Sequence, residues 1–243
     1  MAPDVVQIEE VEKPTPQGGD VLVKIHGSTV NRTDCGVRAA KPAILRMLLG
    51  LRKPRRTIIG TEFAGIVDAL GGGVTSFKIG DRVFGYDERW FGAHAEYKSM
   101  RADGALAAIP PNVTYEQAAP GTEGSHYAIG FIRKAKIQKG QEVLVNGATG
   151  AIGSARCSFK RSHANVTAVC GAEHVDLVRG LGAARVIDFT AEDFTRDEGS
   201  YDVVLDAVGK SSFGRLEQIA EAYQYAESGQ KVGNVVIGLN PST

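Results

Sequence analysis

The residues best placed to do chemistry are glycines. Gly147, Gly150 and Gly153 follow the apolar run Glu142-Val143-Leu144-Val145-Asn146 at the spacing Gly-x-x-Gly-x-x-Gly. A strand, a glycine turn and a helix start in that order would present unpaired backbone N–H groups and the positive helix pole to a pyrophosphate, with no side chain keeping the phosphate off the backbone. The spacing is a variant of the dinucleotide fingerprint, and Asn146, Gly147, Ala148, Thr149, Gly150, Ala151, Ile152 and Gly153 are the candidate cofactor contacts. The same glycines could also do no more than turn the chain and let a helix pack tightly on a sheet.

Other reactive residue types are sparse. Cys35, Cys157 and Cys170 show no C-x-x-C spacing, so neither a disulfide framework nor a cysteine-rich zinc site is expected. None of the seven tyrosines has a lysine four residues on, which argues against a short-chain reductase, whose proton transfer uses Tyr-x-x-x-Lys. With 28 basic and 28 acidic residues among 243, the charge balance gives no support to a nucleic-acid surface. The cluster Arg46, Arg52, Lys53, Arg55, Arg56 reads first as a solvated loop and second as an anion contact. Neither a leader pattern nor a membrane-length apolar run is read, so a cytoplasmic location is expected.

Two kinds of element must position these residues. Short strands at Val5–Ile8, Val21–Ile25, Ile58–Ile59, Ala64–Val67, Arg82–Gly85 and His94–Tyr97, separated by glycine-rich turns, predict a β-rich unit closed or nearly closed like a barrel. After Ile109-Pro110-Pro111 the pattern changes. Thr114 with Gln117 three residues on predicts a capped helix, Gly124 to Ala135 a second, and then strands at 142–146, 166–169, 185–188 and 202–206 alternate with helices. That alternation means a parallel doubly wound sheet. A last helix carries Leu216, Ile219, Ala220 and Tyr223 on one face and leads to a strand at Val235–Ile237. With each strand-helix unit taking roughly 30 residues, four strands leave the second mononucleotide half mostly unfilled.

Val30-Asn31-x-x-Asp34, Gly60-Thr61-Glu62-Phe63-Ala64-Gly65, Phe77 to Gly85, Phe91 to Tyr97, the glycine turn, Leu181-Gly182-Ala183 and Tyr201 to Gly209 follow one another in an order that resembles the medium-chain dehydrogenase/reductases, in their zinc-independent, quinone-oxidoreductase-like branch. The resemblance implies an α/β protein: a GroES-like β-barrel domain (1–121), a shortened Rossmann domain with a doubly wound parallel sheet (122–215), and a terminal helix and strand (216–243) returning to the first domain. It implies hydride transfer from NAD(P)H to a quinone or other unsaturated carbonyl bound in a cleft between the domains. Asn31 and Asp34 would line the substrate side and Thr122 the nicotinamide. Cys170, Gly171, Ala207, Val208 and Gly209 would join the cofactor set.

Zinc-dependent relatives carry a cysteine where this chain has Asn31 and a histidine where it has Thr61, so no zinc is expected. His26 and Cys35 could be offered as substitutes, but read more simply as packing residues. Asn31 and Asp34 have a second reading of their own, a turn held by side-chain to backbone bonds. With no acid at the end of the second strand, NADP(H) is favoured over NAD(H), although Glu173 stands where NADP-binding relatives carry a basic residue, with His174 beside it. The helix after the glycine turn should bury a stripe of Ile152, Ala155 and Phe159. If the usual strand order holds, 202–206 becomes an exposed apolar edge, and the homodimer implied by the resemblance loses its usual edge. The rival to a working reductase is a degenerate cofactor-binding or scaffold protein that keeps the fold without turnover.

Overall fold

A computed structural model describes residues 7–39, 57–158, 164–197 and 199–208, and the backbone of 237–238. The chain divides into two compact units, Met1–Glu123 and Gly124–Thr243.

In the first unit, β1 (Asp20–Ser28), β2 (Glu62–Leu70), β3 (Arg82–Tyr86), β4 (Tyr97–Arg101) and β5 (Leu106–Ala108) pair antiparallel in the order β4-β1-β2-β3-β5. Alternate residues point to one face of a strand, and Val21, Val23, Phe63, Val67, Val83 and Met100 bury that face together with Ala93. Gly65 lets β1 and β2 approach: a Cβ there would lie 2.1 Å from the Lys24 carbonyl oxygen. Two register shifts bend β1, between Leu22 and Val23 and between Ile25 and Gly27, before Ser28 meets Phe63. Helix α1 (Arg32–Ala39) follows β1, and α2 (Tyr115–Ala118) opens with the expected capping box between Thr114 and Gln117.

Three expected strands are corrected. Gln7 and Ile8 are exposed coil, while Val5 and Val6 lie outside the described residues. Ile59 and Gly60 are not in a strand but accept the backbone N–H groups of His94 and Ala93, at 2.9 and 3.1 Å. The strand expected from His94 begins only at Tyr97. Gly60 (φ 95°) and Gly92 (φ 91°) turn the chain at these points, and extended pairing stops where they do.

The second unit receives α3 (Glu123–Ala135) and continues with β6 (Glu142–Asn146), α4 (Ala151–Cys157), β7 (Asn165–Cys170), α5 (Val175–Leu181), β8 (Arg185–Asp188) and β9 (Val203–Asp206). These four strands run parallel in the order β9-β6-β7-β8. Both faces are buried, Val143, Val145, Ala168 and Leu205 on one and Leu144, Val169 and Ile187 on the other. This is why the strands read as continuous apolar runs.

The last strand is a further correction. β10 (Ile237–Gly238) pairs antiparallel with β9, Ile237 opposite Val204 and Gly238 opposite Val203, so it lies in this sheet rather than in the first, and that stretch of the expected open edge is covered. An apolar strand edge with free N–H and C=O groups takes up an extended segment when one is in reach. The terminal helix residues Leu216, Ile219, Ala220 and Tyr223, together with Gly209, Phe159 and the basic cluster at 46–56, lie outside the described residues. No helix among the described residues is long and apolar enough to cross a membrane.

Candidate functional site

In the first unit the end of β1, the start of α1, the start of β2 and the start of α3 converge on one buried carboxylate. Glu62 is 4% exposed. Its Oε1 accepts from Thr122 Oγ1 and from the Glu123 backbone N–H, both at 2.7 Å. Its Oε2 accepts from Thr29 Oγ1 at 2.6 Å and from Asn31 Nδ2 at 3.3 Å. An acid at the head of a buried strand is stable in this position because four donors from three other segments replace its water.

The Asn31 amide extends the network. Nδ2 also reaches Thr61 Oγ1 at 2.6 Å and Glu123 Oε2, while Glu123 Oε1 accepts from Thr33 Oγ1 at 2.6 Å. Asn31 and Thr122, chosen from the sequence, are thus brought together through Glu62. Glu62, Glu123, Thr29, Thr33 and Thr61 were not singled out there. A buried-strand acid at Glu62 and an acid directly after Thr122 were the available signals.

Asp34 has a different place from the one expected. It is 1% exposed, and its Oδ2 accepts the Asn31 N–H while Asn31 Oδ1 accepts the Asp34 N–H, both at 3.0 Å. This reciprocal pair caps α1. The turn reading therefore describes Asp34, which positions Asn31 and does not line an open surface. Burial pushes the Asp34 carboxyl above the usual carboxylate range, against the pull of the Asn31 N–H and of His94. His94 Nε2 lies 3.9 Å from Asp34 Oδ2 and 2.7 Å from the Thr29 carbonyl oxygen. Glu123 is raised too, first by burial and then by the charges of Glu62, Asp34 and Glu88, with the Thr33 hydroxyl pulling it down.

At the two positions where zinc-dependent relatives carry ligands stand an amide and a hydroxyl, bonded to each other. Of the substitutes considered, His26 stacks on Tyr115 with ring centroids 4.8 Å apart, and Cys35 is an exposed thiol.

In the second unit the glycine turn joins β6 to α4. Gly147 has φ 78°, and a Cβ on Gly153 would lie 2.1 Å from the Gly147 carbonyl oxygen, so the helix packs on the turn only with glycine there. Ala148 is fully buried and its N–H bonds the Val169 carbonyl, anchoring the turn, and Ile152 is half-buried. Thr149, Gly150 and Ala151 form an exposed crest, and α4 carries no side-chain cap on its first N–H groups. That crest suits a phosphate group.

The neighbouring strand ends complete the cofactor set. Asn146 Nδ2 donates to Asp206 Oδ1 at 3.0 Å, the Val208 N–H to the same oxygen at 2.8 Å, and a Cβ on Gly147 would press within 2.6 Å of Val208 Cγ2. The Ala207 N–H bonds the Asn146 carbonyl. Cys170 is buried and Gly171 ends β7, with the Glu173 carboxylate 2.8 Å from where a Gly171 Cβ would be and His174 Nε2 3.5 Å from Glu173 Oε1. Burial pushes the Cys157 thiol up to about 11 and the Cys170 thiol up as well, so neither is a poised nucleophile.

The helix behind the turn buries a different face from the expected stripe. Gly153, Arg156 and Cys157 are inside, while Ile152 and Ala155 are half-buried. The contact of Gly153 with the turn fixes the rotation, and positions three and four further on follow it inward. The Arg156 guanidinium lies over the Phe131 ring at 4.1 Å, and its three nitrogens have no hydrogen-bond partner among the described residues. Burial lowers it to about 10, and the negative charge of Asp206 partly restores it.

The alcohol dehydrogenase GroES-like domain family matches residues 17–111. The chain is 32% identical over 194 residues to a chloroplastic quinone-oxidoreductase homolog of Spinacia oleracea, covering 76% of this chain and 57% of that protein. It is 31% identical over 218 residues to a quinone oxidoreductase of Mus musculus, covering 87% and 61%. The structure of Escherichia coli quinone oxidoreductase complexed with NADPH superposes with a TM-score of 0.67 at 27% identity, over 80% of this chain and 58% of that one. The chain therefore spans about three fifths of the length of these three relatives. Fold, domain match and relatives agree: the chain belongs to the medium-chain dehydrogenase/reductase superfamily, in its quinone-oxidoreductase-like branch.

Proposed function

We propose that the chain is a nicotinamide-dependent oxidoreductase that reduces a quinone or another unsaturated carbonyl without a metal, with NADP(H) favoured over NAD(H). The observation that carries this reading is the exposed glycine crest at the β6 end of a parallel sheet ordered β9-β6-β7-β8. In doubly wound sheets, dinucleotides bind at this place. Thr149, Gly150 and Ala151 would take the pyrophosphate, and Gly147, Ala207, Val208 and Gly171 would border it. When bound, the cofactor supplies the hydride. The chain's own part is to orient the acceptor and donate hydrogen bonds, and the network of Asn31, Thr122, Glu62 and Glu123 is the polar group proposed for it. NADP(H) is favoured by kinship, the E. coli relative being the NADPH complex.

A second reading, a cofactor-binding protein without turnover, is favoured by Arg156, a buried charge on the helix that carries the turn. Calorimetric titration with NADPH and NADH side by side, followed by NADPH consumption with a simple quinone, separates the two. Binding with turnover is expected. Tight binding with no turnover would install the second reading, and neither would remove both.

A further inference from the structure

Three carboxylates of the first unit share one small volume: Glu62 and Glu123 both hold the Asn31 amide, and Asp34 caps the same turn. Asp34 is buried, and its Oδ1 has no hydrogen-bond partner among the described residues. Among the described residues no Lys or Arg forms an ion pair with any of the three, and the one cationic candidate, His94, stands 3.9 Å from Asp34. Like charges this close, withdrawn from water, are neutralised by taking up a proton. The carboxylates are not equivalent. Both oxygens of Glu62 are filled by four donors, whereas Glu123 accepts from two, is only half-buried, and faces the negative charges of Glu62, Asp34 and Glu88.

We propose that Glu123 is the acid that delivers a proton to the α-carbon of an α,β-unsaturated carbonyl substrate, with Glu62 and Asn31 holding it in place. This rests on the reductase reading above. Glu123 gives up its O–H proton to the carbon that becomes electron-rich when hydride from a reduced nicotinamide adds at the neighbouring β-carbon. The C=C double bond becomes a single bond with one new C–H at each carbon, the nicotinamide is oxidised, and Glu123, left as carboxylate, regains its proton from water. The substrate class follows from the need for an acid. Protonation at carbon is slow without a placed donor, whereas the oxygens of a reduced quinone exchange protons with water unaided.

The test compares wild type, Glu123→Gln and Glu123→Asp with NADPH, using 2-methylcyclopentenone and a simple quinone. Glu123→Gln should lower enone turnover about 10²–10⁴-fold, the range for a lost general acid, and quinone turnover by a smaller factor, because both acceptors lose the network's orienting contact but only the enone loses a proton placed at carbon. In wild type, kcat/KM for the enone should fall as pH rises through the Glu123 titration; this limb should vanish in Glu123→Gln and return in Glu123→Asp. In D2O the wild type should place deuterium on one face of the α-carbon, and Glu123→Gln should lose that selectivity. The carboxyl titration itself is read on the cofactor-free protein by carbon-13 NMR. A Glu123→Gln protein that melts like wild type and keeps the pH limb and the facial selectivity overturns the proposal. A wild type that reduces neither acceptor overturns the reductase reading, whatever the titration shows.

Discussion

The molecule buries two charges to nearly the same depth and treats them in opposite ways. Glu62 is 4% exposed and Arg156 is 3% exposed. Four donors surround the first, and no acceptor among the described residues meets the second. Burial of a charge is therefore not by itself a sign of design. What marks Glu62 as built in is that residues from the end of β1, from the start of α1 and from the start of α3 present their donors to it, so its removal must disturb all three. Arg156 is held by a cation–π contact with the Phe131 ring, and by a rotation of α4 that the glycine turn imposes for its own reasons.

The largest effect expected from breaking this contrast is at Glu62. Glu62→Ala leaves the Thr29 and Thr122 hydroxyls, the Asn31 amide and the Glu123 N–H facing a void. A buried donor left without its partner costs about 1–3 kcal/mol, and four are left at once. Urea unfolding followed by a first-unit probe such as Trp90 should show this loss, and Glu62→Gln should fall between, because its amide oxygen still accepts while its NH2 confronts a donor. A loss below about 1 kcal/mol in Glu62→Ala would mean that the hub is decoration.

At Arg156 the sign reverses. Buried donors without partners cost about 1–3 kcal/mol, and an apolar side chain of similar length removes that cost while keeping the contact with Phe131. Arg156→Met should stabilise the second unit, raising its melting temperature by about 2–4 °C for each kcal/mol gained. Destabilisation would show that the guanidinium has an acceptor and belongs with Glu62 rather than opposite it.

The same contrast explains what could be read from the amino-acid sequence. The sheet of the second unit was legible because Glu142–Asn146, 166–169 and 185–188 each centre on a short run rich in β-branched residues, and local pattern decides such strands. The Thr114–Gln117 cap was legible for the same reason, both bonds closing within three residues. Glu62 was not, since its partners Thr29 and Thr122 lie 33 and 60 residues away in sequence. No periodicity announces a contact made by folding. The buried face of α4 was missed because its rotation is fixed by the approach of Gly153 to Gly147, a steric fact of the turn and not a property of the helix stripe.

The smallest effect sharpens the contrast on the acid side. Burial raises Asp34 and Glu123 above their ordinary values of 3.8 and 4.5. For an acid raised by folding, the native state binds more protons than the unfolded state between the two pKa values, so unfolding free energy falls as pH rises through that window. The stability these two groups contribute should therefore be greatest at and below the ordinary carboxylate range, decline as pH climbs toward the raised native values, and level off above them. Displacement by one pH unit corresponds to about 1.4 kcal/mol, and Glu123, being half-buried, should contribute less than that because solvent screens it. Glu123→Gln removes one titrating group while keeping an acceptor for Thr33, and should flatten the decline measured by urea unfolding between pH 4 and 8. An unchanged slope would assign the whole decline to Asp34, and would mean that Glu123 is solvated enough to hold its charge beside Glu62.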